Sequence, residues 1–183
     1  MATVLAVRMP QKPLFYWLQR TIDLEAKGGR SVRRADIRQI AHLYYETVHR
    51  VNARDYGPEQ IEAWAPRVYP DAFWQRRFRR YRVLVTEDGD AVVGFVELGR
   101  GGEIDCCYVH HAHQQRGIGA ALMARVEREA LARGNTRLLA DVSITAEPFF
   151  RRRGFRLVRR QIKSYRNRAF KQAVMEKRLR RTG

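Results

Sequence analysis

The sequence predicts a mixed α/β (α+β) fold in which helices flank a single sheet. Its 183 residues, 45% of them hydrophobic and 10% aromatic, suffice for one domain with a sizeable core. The apolar residues follow a helical period up to about residue 80 and the alternating period of strands over residues 82–110. Beyond residue 110 helices and strands alternate, with neither an internal repeat nor a low-complexity linker.

The first half of the chain is predicted to be mainly helical. Residues 1–28 are expected to form an N-terminal extension with a short amphipathic helix, and residues 29–183 a single domain. Asp36 is suited to cap a helix whose apolar positions repeat up to Val48, and Pro58 suits the first turn of the next helix. The predicted elements here are a short strand at 31–34 and helices at 36–48, 58–64 and 71–80.

The second half is predicted to carry most of the sheet. Residues 87–90 have the composition of a hairpin turn, and Gly134 and Asn135 form a stop signal for the helix that begins near Gly117. A final hairpin is expected around Asn167. The predicted strands are 82–86, 91–98, 103–110, 137–142, 155–163 and 169–178, and the predicted helices are 117–133 and 146–152.

Charge is the most unusual property of the composition. The chain has 36 basic and 19 acidic residues, a net charge of +17, and 31 of the basic residues are arginine. Because arginine is scattered from Arg8 to Arg181, the charge alone predicts only non-specific, salt-sensitive binding of nucleic acid. A nucleic-acid-binding protein remains an alternative, since aromatic residues alternate with arginine between Phe73 and Tyr81.

Cysteine usage and hydropathy indicate the compartment. Adjacent strand residues point to opposite faces, so Cys106 and Cys107 are not expected to form a disulfide. No stretch approaches eighteen apolar residues, and the N-terminus lacks a signal-peptide core. The chain is therefore expected to be soluble and cytoplasmic, with no membrane partner. His110, His111 and His113 are expected to be solvated loop residues, and no metal site is predicted.

The segment between the predicted strand 103–110 and the helix that follows carries the chemistry. Gly117 and Gly119 leave backbone N–H groups uncovered at a helix N-terminus, where the helix dipole favours a phosphate or pyrophosphate. Arg116 can add a charge-assisted contact. The segment is not a Rossmann fingerprint, because Leu122 stands at the third glycine position, and it is not a P-loop, because no Gly-Lys-Ser/Thr follows.

Three motifs, in the right order, resemble the GNAT family, whose members transfer an acetyl group from acetyl-CoA to an amine. The family's Gln/Arg-x-x-Gly-x-Gly/Ala motif is matched by Gln114–Gly119, and its opening helix by Ser31–Val48. Its small helix and the Gly-Phe that follows are matched by Ala146–Phe150 and Gly154–Phe155. The resemblance covers about residues 30–179 and implies a GNAT-type acyl-CoA N-acyltransferase fold, with a mostly antiparallel sheet splayed at the cofactor strand.

Two stretches resemble one bacterial subgroup of that family, described after the YafP proteins. They are Arg54–Pro66 and Ser143–Phe150. The subgroup's substrates are largely unassigned, so the resemblance does not name the acceptor.

The resemblance also implies how acetyl-CoA, as co-substrate and without a metal, is held. Strand 103–109 would splay from strand 137–142, and the pantetheine arm would enter the gap. Val109 would offer its backbone to the arm, and the Cys107 N–H would polarise the acetyl carbonyl. The residues implied to bind the cofactor are Val109, Gln114, Gln115, Arg116, Gly117, Ile118, Gly119, Ala120, Ser143 and Phe150.

Attack by an amine requires a base, and the sequence offers several. Glu103 lies eleven residues before Gln114, where the histone-acetylating branch of the family places its glutamate base. By the alternation of a strand, Asp105 and Cys107 are expected to share a face with Glu103. Asp105 and Glu97 are rival bases, and a water relay without a dedicated base is a further possibility.

The sequence departs from the family pattern at Phe150, where many relatives carry a tyrosine that protonates the leaving thiolate. Phenylalanine has no proton to give. Tyr108, Ser143 and Tyr165 are alternative donors, and the thiolate can also leave without specific help. Ser143 itself stands where relatives often have an asparagine.

The predicted function is therefore an acetyl-CoA-dependent N-acetyltransferase that acts on a primary amine of a small molecule or peptide by direct attack in a ternary complex. A covalent route through Cys106 or Cys107 is disfavoured, because no histidine is placed by spacing to activate either thiol. A non-catalytic acyl-CoA-binding domain is the main alternative. A homodimer is possible through the extension, the first helix or the last strand.

Overall fold

A computed structural model describes residues 29–180 of the chain; the predicted helix at 1–28 lies outside the described residues. The strands within this range are β1 (Arg30–Ser31), β2 (Arg82–Asp88), β3 (Ala91–Leu98), β4 (Glu103–Val109), β5 (Arg137–Ser143), β6 (Arg156–Tyr165) and β7 (Arg168–Arg178). The α-helices are α1 (Ile37–Arg50), α2 (Pro58–Trp64), α3 (Asp71–Arg80), α4 (Ile118–Ala132) and α5 (Glu147–Arg152). The predicted mixed α/β fold is confirmed.

The strands form one sheet in the order β1-β2-β3-β4-β5-β7-β6. Every neighbouring pair is antiparallel except β4 and β5, which run parallel. The predicted final hairpin is also present: Arg166 and Asn167, both with positive φ, form its turn. The sheet therefore consists of two antiparallel halves that meet at a single parallel seam.

The N-terminal edge of the sheet differs from the prediction. β1 covers only Arg30–Ser31. Val32 still donates its N–H to the Val83 carbonyl at 3.1 Å, but a 3₁₀ turn, Arg34–Asp36, begins at the last residue of the predicted strand. Asp36 does not cap α1, because its carboxylate turns back to accept the Arg33 N–H at 2.6 Å and to pair with Arg30 at 2.6 and 2.8 Å. A nearly buried carboxylate is stabilised more by a cation and an N–H together than by one helix amide.

Helices cover both faces of the sheet. On one face α4 and α5 pack over β3–β5, in a core that includes Leu122, Val126 and Phe150. On the other face α1 and α3 pack over β2–β4, in a core that includes Ile40, Trp74 and Phe95. No helix within residues 29–180 is both long enough and apolar enough to cross a membrane.

The aromatic side chains of α3 face inward rather than toward solvent. Trp74 is fully buried, and Phe73 and Phe78 pack against the same core. These rings consequently do not form an exposed platform on which bases could stack. The sequence pattern favours nucleic-acid binding only if such a platform exists.

Tyr56 ties the segment before α2 to the sheet. Its hydroxyl accepts the N–H of Ile144 at 3.1 Å and donates to the carbonyl of Lys171 at 3.0 Å, and the residue is 6% exposed. One hydroxyl thus satisfies a backbone group beyond β5 and another in β7.

Tyr56→Phe is expected to lower the free energy of unfolding by about 1–3 kcal/mol, because two backbone groups would lose a buried partner. Urea unfolding of the two proteins measures the difference. The matched control is Tyr45→Phe, since the Tyr45 hydroxyl makes no hydrogen bond within residues 29–180, while its ring lies 4.1 Å from that of His49 and packs against the same core cluster as Tyr56. Equal losses in both variants would contradict the role given to the Tyr56 hydroxyl.

Candidate active site

The seam between β4 and β5 opens into a gap. These strands pair only at Glu103 with Leu139 and at Ile104 with Ala140. Beyond that point β4 follows β3 and β5 follows β7, so the two strands diverge. A cavity of about 740 Å³ runs through the opening and is lined from both faces of the sheet. The splay expected from the family resemblance is therefore present.

An irregularity in β4 sets the direction of its side chains. Val96 pairs with Cys107 and Leu98 with Ile104, so β4 has one residue more than β3 over this stretch. As a result Asp105 and Cys106 both turn toward α3, where Arg77 contacts each of them. Cys107 instead packs with Ile104 against the α4 core.

The expectation that Cys107 shares a face with Glu103 and Asp105 is thus wrong. Simple alternation assumes one residue of β4 for each residue of β3, and the bulge breaks that count between Ile104 and Cys107.

The backbone of β4 faces the gap at alternate residues. His110 donates its N–H to the carbonyl of Val93 at 2.9 Å, which fixes the phase of the ladder. In that phase Tyr108 bonds to β3, whereas the N–H and C=O groups of Cys107 and Val109 point away from β3 toward the gap. These are the two backbone positions that the family resemblance implies for acetyl-CoA.

The loop before α4 presents free N–H groups at one end of the cavity. Gly117 is the N-cap of α4 with φ +81°, and the first helical hydrogen bond runs from the Ala121 N–H to the Gly117 carbonyl. The N–H groups that follow Gly117 therefore lack helical partners. Gln115 also has a positive φ, of 60°. The residues of this loop that line the cavity are Gln114, Gln115, Gly117, Ile118, Gly119 and Ala120.

Position 119 has little room for a side chain, because the ring of Phe149 lies close to the Gly119 backbone. A Cβ on Gly119 would lie 3.0 and 3.2 Å from ring atoms of Phe149, on α5.

Arg116, which was expected to contact the cofactor, is exposed and is not among the residues that line the cavity. Arg152 and Arg153, at the C-terminal end of α5, line the cavity instead. Sequence reasoning missed them, because an arginine run gives no sign of which member turns toward a site.

Aromatic side chains and a cluster of charged side chains line the opposite end of the cavity. Its ring-bearing lining residues are Tyr44, Trp64, Tyr69, Phe73, Tyr108, Tyr165 and Phe170. Arg77 donates from Nε to both oxygens of Glu97, at 3.0 and 3.1 Å, and also pairs with Asp105. Glu97 is fully buried, and burial raises the pKa of its carboxyl although Arg77 opposes the shift.

Of the three carboxylates considered as bases, only Asp105 lines the cavity. Its side chain is 45% exposed. Glu103 turns into the loop before β4, where its carboxylate accepts the Gly101 N–H at 3.0 Å. Glu97 lies behind Arg77 and is held by it. The structure therefore brings Asp105, but neither Glu103 nor Glu97, to the cavity surface.

The three alternative proton donors all line the cavity. Tyr108 lies on β4, Ser143 at the end of β5 and Tyr165 at the end of β6. Burial raises the pKa of Tyr108, and the Ser143 hydroxyl accepts the Ala146 N–H at 3.2 Å. Phe150 is 4% exposed and forms edge-to-face pairs with Phe149 and Phe155, so it belongs to the wall.

Neither cysteine is prepared to act as a nucleophile. Both are free thiols, and burial raises the pKa of Cys107 to about 12 and that of Cys106 above its usual range. Near neutral pH both are protonated, and a thiol is a much weaker nucleophile than a thiolate. Burial thus disfavours a covalent route through either cysteine.

Comparisons with known proteins agree with this geometry. The profile of the acetyltransferase (GNAT) domain matches residues 52–179. The chain is 30% identical over 132 residues to the N-acetyltransferase YafP of Escherichia coli (strain K12), an overlap of 72% of this chain and 83% of YafP.

Solved structures give the same result. A GCN5-related N-acetyltransferase from Rhodopseudomonas palustris has a TM-score of 0.78 at 30% identity, over 82% of this chain and 94% of the other. The protein yncA from Salmonella typhimurium, solved with its cofactor acetyl-CoA, shares the fold with a TM-score of 0.64 at 23% identity, over 84% and 94% of the two chains. The chain belongs to the GNAT family and is an acetyl-CoA-dependent N-acetyltransferase.

Proposed function

We propose that the protein acetylates a primary amine, of a small molecule or a peptide, by direct attack within a ternary complex. The observation that carries this proposal is the single cavity that passes through the gap between β4 and β5. It joins an anion-binding loop on one face of the sheet to an aromatic chamber with a carboxylate on the other. Donor and acceptor entering from opposite faces would meet at the gap.

The residues of the loop fit a pyrophosphate. The N–H groups of Ile118, Gly119 and Ala120 lie at the positive end of α4, and Arg152 and Arg153, at the end of α5, add positive charge to the cavity lining. When bound there, acetyl-CoA supplies a thioester carbonyl that an amine can attack. The Cys107 N–H is oriented to stabilise negative charge on that carbonyl oxygen, and the Val109 backbone would bind the pantetheine arm.

The acceptor chamber suits a cationic amine with an apolar body. Tyr44, Trp64 and Phe73 line it, and aromatic rings attract ammonium groups. Of the two carboxylates that pair with Arg77, Asp105 is the one that lines the chamber. An ammonium ion would therefore be bound by charge and by rings at the same time.

We assign the base role to Asp105 rather than to Glu103. Asp105 would receive a proton from the amine, directly or through one water, as the C–N bond forms and the C–S bond breaks. Arg77, anchored by Glu97, would hold the Asp105 carboxylate in place. Tyr108, Ser143 or Tyr165 could then protonate the leaving thiolate, which is also stable enough to leave as the anion.

Release of free CoA thiol in the presence of a panel of primary amines tests the proposal. The panel contains aliphatic, aromatic and peptide amines, and mass spectrometry identifies the N-acetyl product. CoA release that depends on a particular amine, with one acetyl group gained by that amine, is the expected result. Thermal stabilisation by acetyl-CoA without amine-dependent release from any panel member would favour a non-catalytic acyl-CoA-binding domain.

We also propose that the protein acts in the bacterial cytoplasm. Both cysteines are unpaired thiols, as expected in a reducing compartment, and the relatives named above come from bacteria.

A further inference from the structure

Histidines at the end of β4 converge on one carboxylate of α1. His110 Nε2 lies 3.5 Å and His111 Nδ1 3.3 Å from the same oxygen, Oε2 of Glu46. One ligand atom from each of the three residues lies within 4.8 Å of the other two. Glu46, His110 and His111 do not line the cavity that holds the reaction, so this cluster is separate from the active site.

The spacing suits a shared ion better than direct hydrogen bonds. Tetrahedral zinc with bonds of about 2.0–2.1 Å holds its ligand atoms about 3.3 Å apart, whereas N–H···O bonds are about 2.7–3.2 Å long. Both distances to Glu46 are near the zinc value and longer than the commonest N–H···O distances. His111 Nδ1 is also buried without a hydrogen-bond partner within the described residues. A buried imidazole nitrogen that makes no hydrogen bond and lies close to a carboxylate is available to bind a metal ion.

A second layer of side chains supports His110 as a ligand. His110 Nδ1 lies 3.3 Å from His113 Nδ1, and His113 Nε2 lies 3.7 Å from Asp88. Metal binding through Nε2 places the proton of His110 on Nδ1, from which it can donate to His113. The Ala112 N–H, which now donates to His110 Nδ1 at 3.2 Å, is exposed and would bond to water instead.

We propose that Glu46, His110 and His111 form a three-ligand site for a divalent transition-metal ion of the zinc type. A second cavity, of about 490 Å³ and lined by Glu46, His110 and His113, gives the ion a route of entry and room for water as the fourth ligand. Because the three residues lie outside the lining of the reaction cavity, we expect acetyl transfer not to require the ion. Because it bridges α1 and the segment just before Gln114, a bound ion would fix the position from which the cofactor loop starts.

Metal titration of the full-length, tag-free protein tests the site. Co²⁺ is the optical probe and Zn²⁺ the competitor, followed by visible absorption and calorimetry. The expected result is one equivalent of Co²⁺ with the intense visible bands of a tetrahedral ion, displaced by one equivalent of Zn²⁺. Glu46→Gln and His111→Ala should each lower the Zn²⁺ affinity at least about tenfold. Glu62→Gln, which removes an exposed carboxylate on α2 that lines neither cavity, should leave the affinity unchanged.

Each other outcome counts against the site. Equal Zn²⁺ affinity in the wild type and in both ligand variants, or weak octahedral-type Co²⁺ bands, would mean that the cluster is an ordinary set of charged side chains. An equal loss in Glu62→Gln would indicate scattered surface binding. Thermal stabilisation by CoA in EDTA, measured for every variant, confirms folding and separates failure of this site from failure of the proposed active site.

Discussion

Replacing Gly117 with leucine is expected to abolish the stabilisation of this protein by CoA. Gly117 has φ +81° and begins α4, so a leucine there is strained by about 1–2 kcal/mol or rotates the following N–H groups out of line. Bound CoA at ~100 times its Kd should stabilise the wild type by roughly 2.7 kcal/mol, a shift of several degrees in Tm. Thermal unfolding with desulfo-CoA in ~0.3 M salt measures the difference, with ATP as the control ligand.

Gly134 offers a matched control at the opposite end of α4. Its φ is +80°, and an added Cβ would meet nothing within 4 Å. Gly134→Leu therefore carries the same backbone strain, and should lower the Tm by a similar amount while it keeps the full CoA shift. If CoA raised the Tm of Gly117→Leu as much as that of Gly134→Leu, the loop would not be part of the cofactor site.

Asp105→Asn is expected to lower kcat/KM by about 10²–10⁴-fold with whichever amine the panel identifies, because the amide cannot accept the proton of the amine. Asn keeps the shape of the side chain, and CoA binding at the other end of the cavity should not change. Glu103→Gln is the control, since Glu103 lies outside the cavity lining and should keep activity within about threefold of the wild type.

The pair of variants also decides between the two assignments of the base. A large loss in Glu103→Gln with little change in Asp105→Asn would restore the role that the family resemblance implies for Glu103. Small losses in both variants would favour a water relay without a dedicated base.

The parts of the site that sequence reasoning reached are local ones. Gly117 and Gly119 are recognisable because a turn, a helix start and an anion site all depend on consecutive residues. The faces of Asp105 and Cys107 could not be predicted, because the bulge is defined only by the pairing of β4 with β3. The ion pairs of Arg77 could not be predicted either, since its partners Glu97 and Asp105 lie 20 and 28 residues away in the chain.

The histidines at 110–113 show the same limit. As a sequence they are three adjacent or nearly adjacent loop residues with no ligand spacing. Glu46, the group on which two of them converge, lies on α1 and comes more than sixty residues earlier. Tertiary structure supplied the third ligand.

The short seam between β4 and β5 has a consequence for amide hydrogen exchange. With only two residue pairs across it, the Cys107 and Val109 amides have no strand partner, whereas Tyr108 and His110 bond to β3. In the free protein, exchange along β4 should therefore alternate between fast and slow at successive residues. A ligand seated in the gap would slow only the fast set. Deuterium uptake along β4 can thus report occupancy of the gap before any acceptor amine is identified.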